Sequence, residues 1–248
     1  MHILTLFHTC VNYCLSKVNM CMAHICIIGD SFGHPILGGD FPQDRYTPSD
    51  HTEHQLRDVY GYKVRNYSRG AISNLEAVRR FRDNPPRLCD VIIWFGTESF
   101  RDWHDADRHR FSIDSKTEEI MAVAYSEFEQ IRSHYDADCV LIGGQAPLHP
   151  VRKGIVNRVI WELEDWRAEL LGYPDLEGSH LLCHPYIFGS TGCTDSVQVQ
   201  LRKIETVNKW LDLMDGHKHF PDNCHPGGAA HRSLSMRINK IIQGRKPG

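Results

Sequence analysis

From Ala23 onward the chain alternates between two textures: short strand-forming runs that end at glycine or a polar turn residue, and longer stretches with apolar residues at three- and four-residue spacing. The short runs are residues 24–29 (HICIIG), 62–67 (YKVRNY), 91–96 (VIIWFG) and 139–144 (CVLIGG). Runs that are apolar on successive residues leave no face for water, so they predict strands buried on both sides, as in a parallel sheet. The longer stretches, 71–82, 116–135, 154–171, 196–215 and 228–243, predict helices with one apolar stripe. Ile120, Val123, Ala124, Phe128 and Ile131 trace the stripe in the second of these, and Leu234, Met236, Ile238 and Ile241 trace it in the last. Strands alternating with helices in this way predict an α/β domain with helices on both faces of the sheet.

The polar segments 33–49, 100–114 and 180–194 are too long for simple connections and are expected to lie as loops over one face. Residues 1–21 stand apart. Their apolar run, 3–15, has no Lys or Arg before it and no A-x-A site after it, which makes a poor signal peptide. With Met20 and Met22 just ahead of the first strand, residues 1–21 are expected to be a tail or a surplus upstream start. Residues 22–248 would then form a single domain, a usual size for an α/β fold.

Composition narrows the class of partner. Against 31 Asp and Glu, 28 Lys and Arg leave a formal charge of −3, so there is no basic field to hold a phosphate backbone, and nucleic acid is not an expected partner. No apolar stretch reaches the 18 residues of an ordinary membrane span. The nine cysteines are odd in number and follow no disulfide framework, so they read mostly as free thiols, which favours a reducing, cytoplasmic setting. Cys10, Cys14, Cys21 and Cys26 lack CxxC pairs, and Cys183, His184 and Cys193 form only a loose cluster, so no metal is expected.

The chemistry is expected beyond the carboxyl ends of the strands, where open parallel sheets bind ligands. There the chain reads Gly29-Asp30-Ser31, then Asn66-Tyr67-Ser68-Arg69-Gly70, then Gly96-Thr97-Glu98, and, just before the last helix, Asp222-Asn223-Cys224-His225. A serine hydroxyl becomes a nucleophile only when a base takes its proton, and a histidine does this well when a carboxylate fixes its tautomer. Ser31, His225 and Asp222 supply these three roles. Backbone amides at Ser31 and Gly70 are the candidate donors to a tetrahedral oxyanion.

With these residues in place the chain resembles the SGNH, or GDSL-type, serine hydrolases. The first block of that family, a strand followed by GDS, is matched by Ile25 to Ser31, and its last, D-x-x-H, by Asp222 and His225 with Pro226 following. The glycine of its second block falls on Gly70, or on Ala71 if the register shifts by one. The third block is usually G-x-N-D, with the asparagine as a further oxyanion donor; here the positions read Gly96-Thr97-Glu98-Ser99, so Glu98 stands for the asparagine.

The resemblance implies a three-layer α/β/α sandwich of flavodoxin-like type, with a mainly parallel sheet of about five strands. It also implies ester hydrolysis or deacetylation through an acyl-enzyme, with neither metal nor cofactor. The resulting expectation is a serine esterase or carbohydrate O-deacetylase acting on a small-molecule or carbohydrate ester. The alternative is an SGNH-fold binding or structural module with weak or no turnover, motivated by Glu98. Asp30, His34, Glu98 and Trp103 are further candidates to line the site. Trp103 lies in the stretch FRDWHDADRHRF, which reads either as a solvated loop or as a lid gripping a sugar or acyl group. Trp94, inside a strand, reads as core.

Overall fold

The computed structural model describes residues 23–30, 33–34, 48–70, 72–97, 115–143, 148–163 and 227–244, without the side chains of 48 and 115–117. Five strands, β1 (His24–Gly29), β2 (Lys63–Asn66), β3 (Val91–Gly96), β4 (Asp138–Gly143) and β5 (Val159–Leu163), form one sheet in the order β2-β1-β3-β4-β5. Every neighbouring pair is parallel. The helices are α1 (Thr52–His54, continued by a π-helical turn over Gln55–Val59), α2 (Asn74–Asp83), α3 (Ser115–Tyr135) and α4 (Gly228–Gln243).

Period-two alternation divides the core into two faces. Ile25, Ile27, Val91, Ile93, Phe95, Val140 and Ile142 face Leu56 and the Ala230, Leu234, Ile238 and Ile242 stripe of α4. Cys26, Ile28, Ile92, Trp94, Cys139 and Leu141 face Val78 and Phe81 of α2 and Met121, Ala124 and Phe128 of α3. Each large apolar side chain buried this way contributes about 1.5–3 kcal/mol of transfer free energy. The strands are therefore held by both helical layers, which makes the expected three-layer α/β/α sandwich with a flavodoxin-like strand order. Trp94 is core, 1% exposed.

Three expectations are corrected. The strand at 62–67 was expected to be buried like the others, but β2 stands at the end of the strand order and its residues alternate between exposed and half-buried. Residues 154–171 were expected to be helical, but Val159–Leu163 form β5, following a 3-10 turn over Pro150–Gly154. The segment VIWEL is too short for its period to separate helix from strand, and the free edge of β4 offers it a ladder of hydrogen bonds. Residues 164–171 and the helix expected over 196–215 lie outside the described residues. Val123 and Met236, placed on the buried stripes, are exposed.

Of the nine cysteines, Cys26, Cys89 and Cys139 are described, and all three are buried free thiols. Burial pushes the Cys139 thiol up to about 12, and the hydrogen bond with Cys26 followed by burial raises Cys89, so neither is a ready thiolate. Among the described residues no helix is long and apolar enough to cross a membrane.

Candidate active site

β1 lies between β2 and β3, so the chain leaves it in one direction and returns on the other side. The carboxyl ends of β1 and β3 flank this reversal, where doubly wound sheets open a ligand crevice. Gly29, the last residue of β1, is paired with Phe95. Its φ is +143°, and a Cβ there would lie 2.5 Å from the Phe95 carbonyl oxygen and 2.7 Å from Phe95 Cβ. Only glycine fits both the conformation and the space.

Asp30 follows, 1% exposed, and its carbonyl accepts from the Gly33 amide at 3.2 Å. The residues on either side of Ser31-Phe32 are thus joined to each other. His34, half-buried, continues this loop. Ser31, Glu98, Trp103, Asp222 and His225 lie outside the described residues, so of the expected site residues the structure places Asp30, His34 and Gly70.

Gly70 sits beyond β2 on the same edge, exposed, with nothing within 4 Å of where a Cβ would be. Neither packing nor positive φ requires glycine there, since Gly29 and Gly61 are the described glycines with positive φ. The approach to Gly70 runs through Asn66, the last residue of β2. Asn66 Nδ2 donates to the Gly33 carbonyl at 2.7 Å and to Glu53 Oε2 at 2.9 Å, and Asn66 Oδ1 accepts from the Ser68 amide at 2.9 Å. Ser68 is buried beneath Gly33, where a Cβ would meet the Ser68 Oγ at 2.4 Å.

A second asparagine anchors the end of β3. Asn74, 2% exposed, donates from Nδ2 to the Thr97 carbonyl at 2.9 Å and accepts the Thr97 amide on Oδ1 at 3.0 Å. Asn74 opens α2, whose N-cap Ser73 accepts the Glu76 amide at 3.2 Å. Sequence reasoning assigned no role to Asn66 or Asn74. The Ser73-x-x-Glu76 pattern is a helix-start signal that would have placed Asn74 at the first turn, at the same edge as Thr97.

The last helix brings its N-terminus to this edge too. Tyr62, just ahead of β2, donates to Asn239 Oδ1 at 2.8 Å, which puts the C-terminal half of α4 at the amino edge of the sheet. At its other end His231 Nδ1 meets Thr52 Oγ1 at 2.9 Å, Arg232 pairs with Asp50, and Gly228 packs so closely on Asp50 that a Cβ would lie 2.8 Å from Oδ2. Thr52 precedes Glu53, which holds Asn66 at the carboxyl end of β2. α4 therefore runs antiparallel to the strands and starts where they end. His51, fully buried, packs against His231 with the rings tilted by 48° and their centroids 4.3 Å apart, and accepts the Glu53 amide on Nδ1 at 3.2 Å.

Beyond β4, His149 caps the 3-10 turn by accepting the Val151 amide on Nδ1 at 3.3 Å. Its Nε2 has no hydrogen-bond partner among the described residues. Burial lowers the His149 pKa, with the charge of Glu118 opposing and that of Arg152 adding, so its imidazole is neutral over a wider range than a free one.

No protein-family model matches the chain, and neither does any curated protein. Among solved structures it is similar to a GDSL-like lipase of Parabacteroides merdae, at 14% identity and a TM-score of 0.45, over 88% of this chain and 96% of that one. It is also similar to an acetylxylan esterase, Axe2, of Geobacillus stearothermophilus, at 9% identity and a TM-score of 0.41, over 90% and 95% of the two chains. A carbohydrate esterase whose active site displays divergent catalytic and non-catalytic binding functions is similar at 10% identity and a TM-score of 0.45, over 90% of this chain and 69% of that one.

Proposed function

We propose that this protein is a serine esterase of SGNH type, acting on a small-molecule or carbohydrate ester, with Ser31, His225 and Asp222 as its triad. The observation that carries the reading is the position of Asp30, the residue bonded to Ser31, at the switch point of an all-parallel sheet, with the start of α4 brought to the same edge. Three steps of chain separate His225 from Gly228, which keeps their Cα atoms within roughly 11 Å of each other. Asp30, next to Ser31, and Gly228, three residues after His225, thus lie at one edge of the sheet, which supports a shared site for the two blocks.

In this reading His225 takes the Ser31 hydroxyl proton as Oγ bonds to the acyl carbon, and Asp222 holds the imidazole in the tautomer that accepts it. Amides of Ser31 and Gly70 stabilise the oxyanion. When the tetrahedral adduct collapses, the bond from acyl carbon to alcohol oxygen breaks and His225 returns the proton to the leaving alcohol. Water then repeats the sequence, releasing the acid and free Ser31. No step calls for a metal or cofactor.

The test is a fluorophosphonate probe. Labelling of the wild type that disappears in Ser31→Ala and falls by about a hundredfold or more in His225→Ala supports the reading. A pure, folded protein that takes up no label is instead a binding module on this fold.

A further inference from the structure

Resting on that reading, we propose that Asn66 is a positioning residue of the site, setting the loop that carries Ser31 against the turn that leads to Gly70. One carboxamide uses both of its donors and its oxygen on this. Both Nδ2 protons are used, one on the Gly33 carbonyl at 2.7 Å and one on Glu53 Oε2 at 2.9 Å, and Oδ1 takes the Ser68 amide at 2.9 Å.

The three partners belong to three different segments. Gly33 closes onto Asp30 across Ser31-Phe32, Ser68 stands two residues before Gly70, and Glu53 sits in α1. Glu53 is itself held, its Oε1 by Arg57 at 3.3 Å and its amide by His51 at 3.2 Å. Next to it, Thr52 meets His231 of α4. Asn66 thus refers the first and second motif blocks to a strut that also carries the start of the last helix.

Neighbouring strands alone do not supply this registration. The ladder ties Tyr67 N to the Ile27 carbonyl and Arg69 N to the Gly29 carbonyl, up to the end of β1, and beyond Asp30 the Asn66 carboxamide ties the β2 side to Gly33. A displacement of about 1 Å between a nucleophile and its oxyanion donors is worth about a hundredfold in rate, so a single side chain spanning the two can govern turnover without touching substrate.

Asn66→Asp is the informative variant. It keeps an oxygen for the Ser68 amide, loses both donors, and sets a second carboxylate against Glu53. The double variant Asn66→Asp with Glu53→Gln removes that repulsion, because the new amide can donate to Asp, yet it leaves the Gly33 carbonyl without its donor. In the full-length protein the fluorophosphonate labelling rate and kcat for p-nitrophenyl acetate should fall about tenfold or more in both variants, with KM within about threefold. Hydrogen exchange of a peptide covering residues 30–34 should be faster in both.

Recovery of the wild-type rate in the double variant would show that charge repulsion had caused the loss, and would overturn the proposal. Unchanged kcat in Asn66→Asp, or a loss that merely follows the melting temperature, would do the same. If the wild type takes up no label, the esterase reading fails separately. Exchange then decides: unchanged protection over residues 30–34 in both variants rejects Asn66 as the tether.

Discussion

Asn74 and Thr97 exchange two hydrogen bonds, the carboxamide of one donating to and accepting from the backbone of the other at 2.9 and 3.0 Å. This pairing fixes the first turn of α2 to the residue that leaves β3, and so sets where the chain enters the Thr97-Glu98 block. Removing the carboxamide in Asn74→Ala takes away both bonds in a buried setting, each worth about 1–3 kcal/mol. Chemical denaturation should show a loss of about 2–4 kcal/mol, with Asn74→Asp, which keeps the acceptor, losing less of the Thr97 amide's contribution.

Gly29 tests the closeness of β1 and β3. A methyl group there would press on the Phe95 backbone at 2.5 Å while also requiring a conformation that L residues avoid. Gly29→Ala should destabilise the domain by about 2–4 kcal/mol, overpacking and backbone strain adding together. Gly70→Ala, with open space around its Cα, should leave the unfolding midpoint almost unchanged. A fall in labelling rate without a fall in stability would then mark Gly70 as a site residue.

His149 should impose a pH dependence on stability. Its folded pKa is lowered, chiefly by burial, so near and below the ordinary histidine value of about 6.5 the unfolded state binds more protons than the folded one. Its contribution is fully present above that value and is lost as pH falls toward the folded pKa. Between about pH 7 and 5 the wild type should lose stability more steeply than His149→Asn, which can still cap the Val151 amide but carries no titrating ring. Parallel curves for the two proteins would reject this assignment.

The resemblance implies that Glu98 stands where an asparagine donor is usual, and that expectation can be tested. An ionised carboxylate about 4 Å from an oxyanion, at an effective dielectric of about 20, would repel it by roughly 4 kcal/mol. Loss of one neutral donor costs roughly 2.7–4 kcal/mol, so a charge aimed inward is no improvement on an empty place. Of the two ways out, a protonated carboxyl or one turned toward a charge such as Arg101, three residues along in sequence, the second is the expectation because it needs no raised pKa. Glu98→Gln is therefore expected to change kcat/KM by less than about tenfold. A rise of about a hundredfold would mean that the charge suppresses turnover, and a comparable fall at acidic pH would mean that Glu98 acts as a protonated donor.

The central strands, the long helix α3 and the closing helix were legible in the amino-acid sequence because their signals are local and repeat. HICIIG and VIIWFG are apolar on both faces, and β1, β3 and α4 have the bounds that the pattern predicts. GDS could be placed at the carboxyl edge from the sequence, because position along a parallel strand already says which end faces the crevice. β5 was not legible. Five residues cannot establish a period, and whether they join a sheet depends on the free edge of β4, a partner distant in sequence.

Asn66, Glu53 and His231 were silent for the same reason. Nothing in Asn-Tyr-Ser announces that its carboxamide will find Gly33, 33 residues away, or in a helical histidine that it will meet Thr52, 179 residues away. Hydrophobic burial follows from patterns that a linear chain displays. The pairing of buried polar groups follows from which backbone donors and acceptors the packed layers leave to be satisfied, and that is decided only when the layers meet.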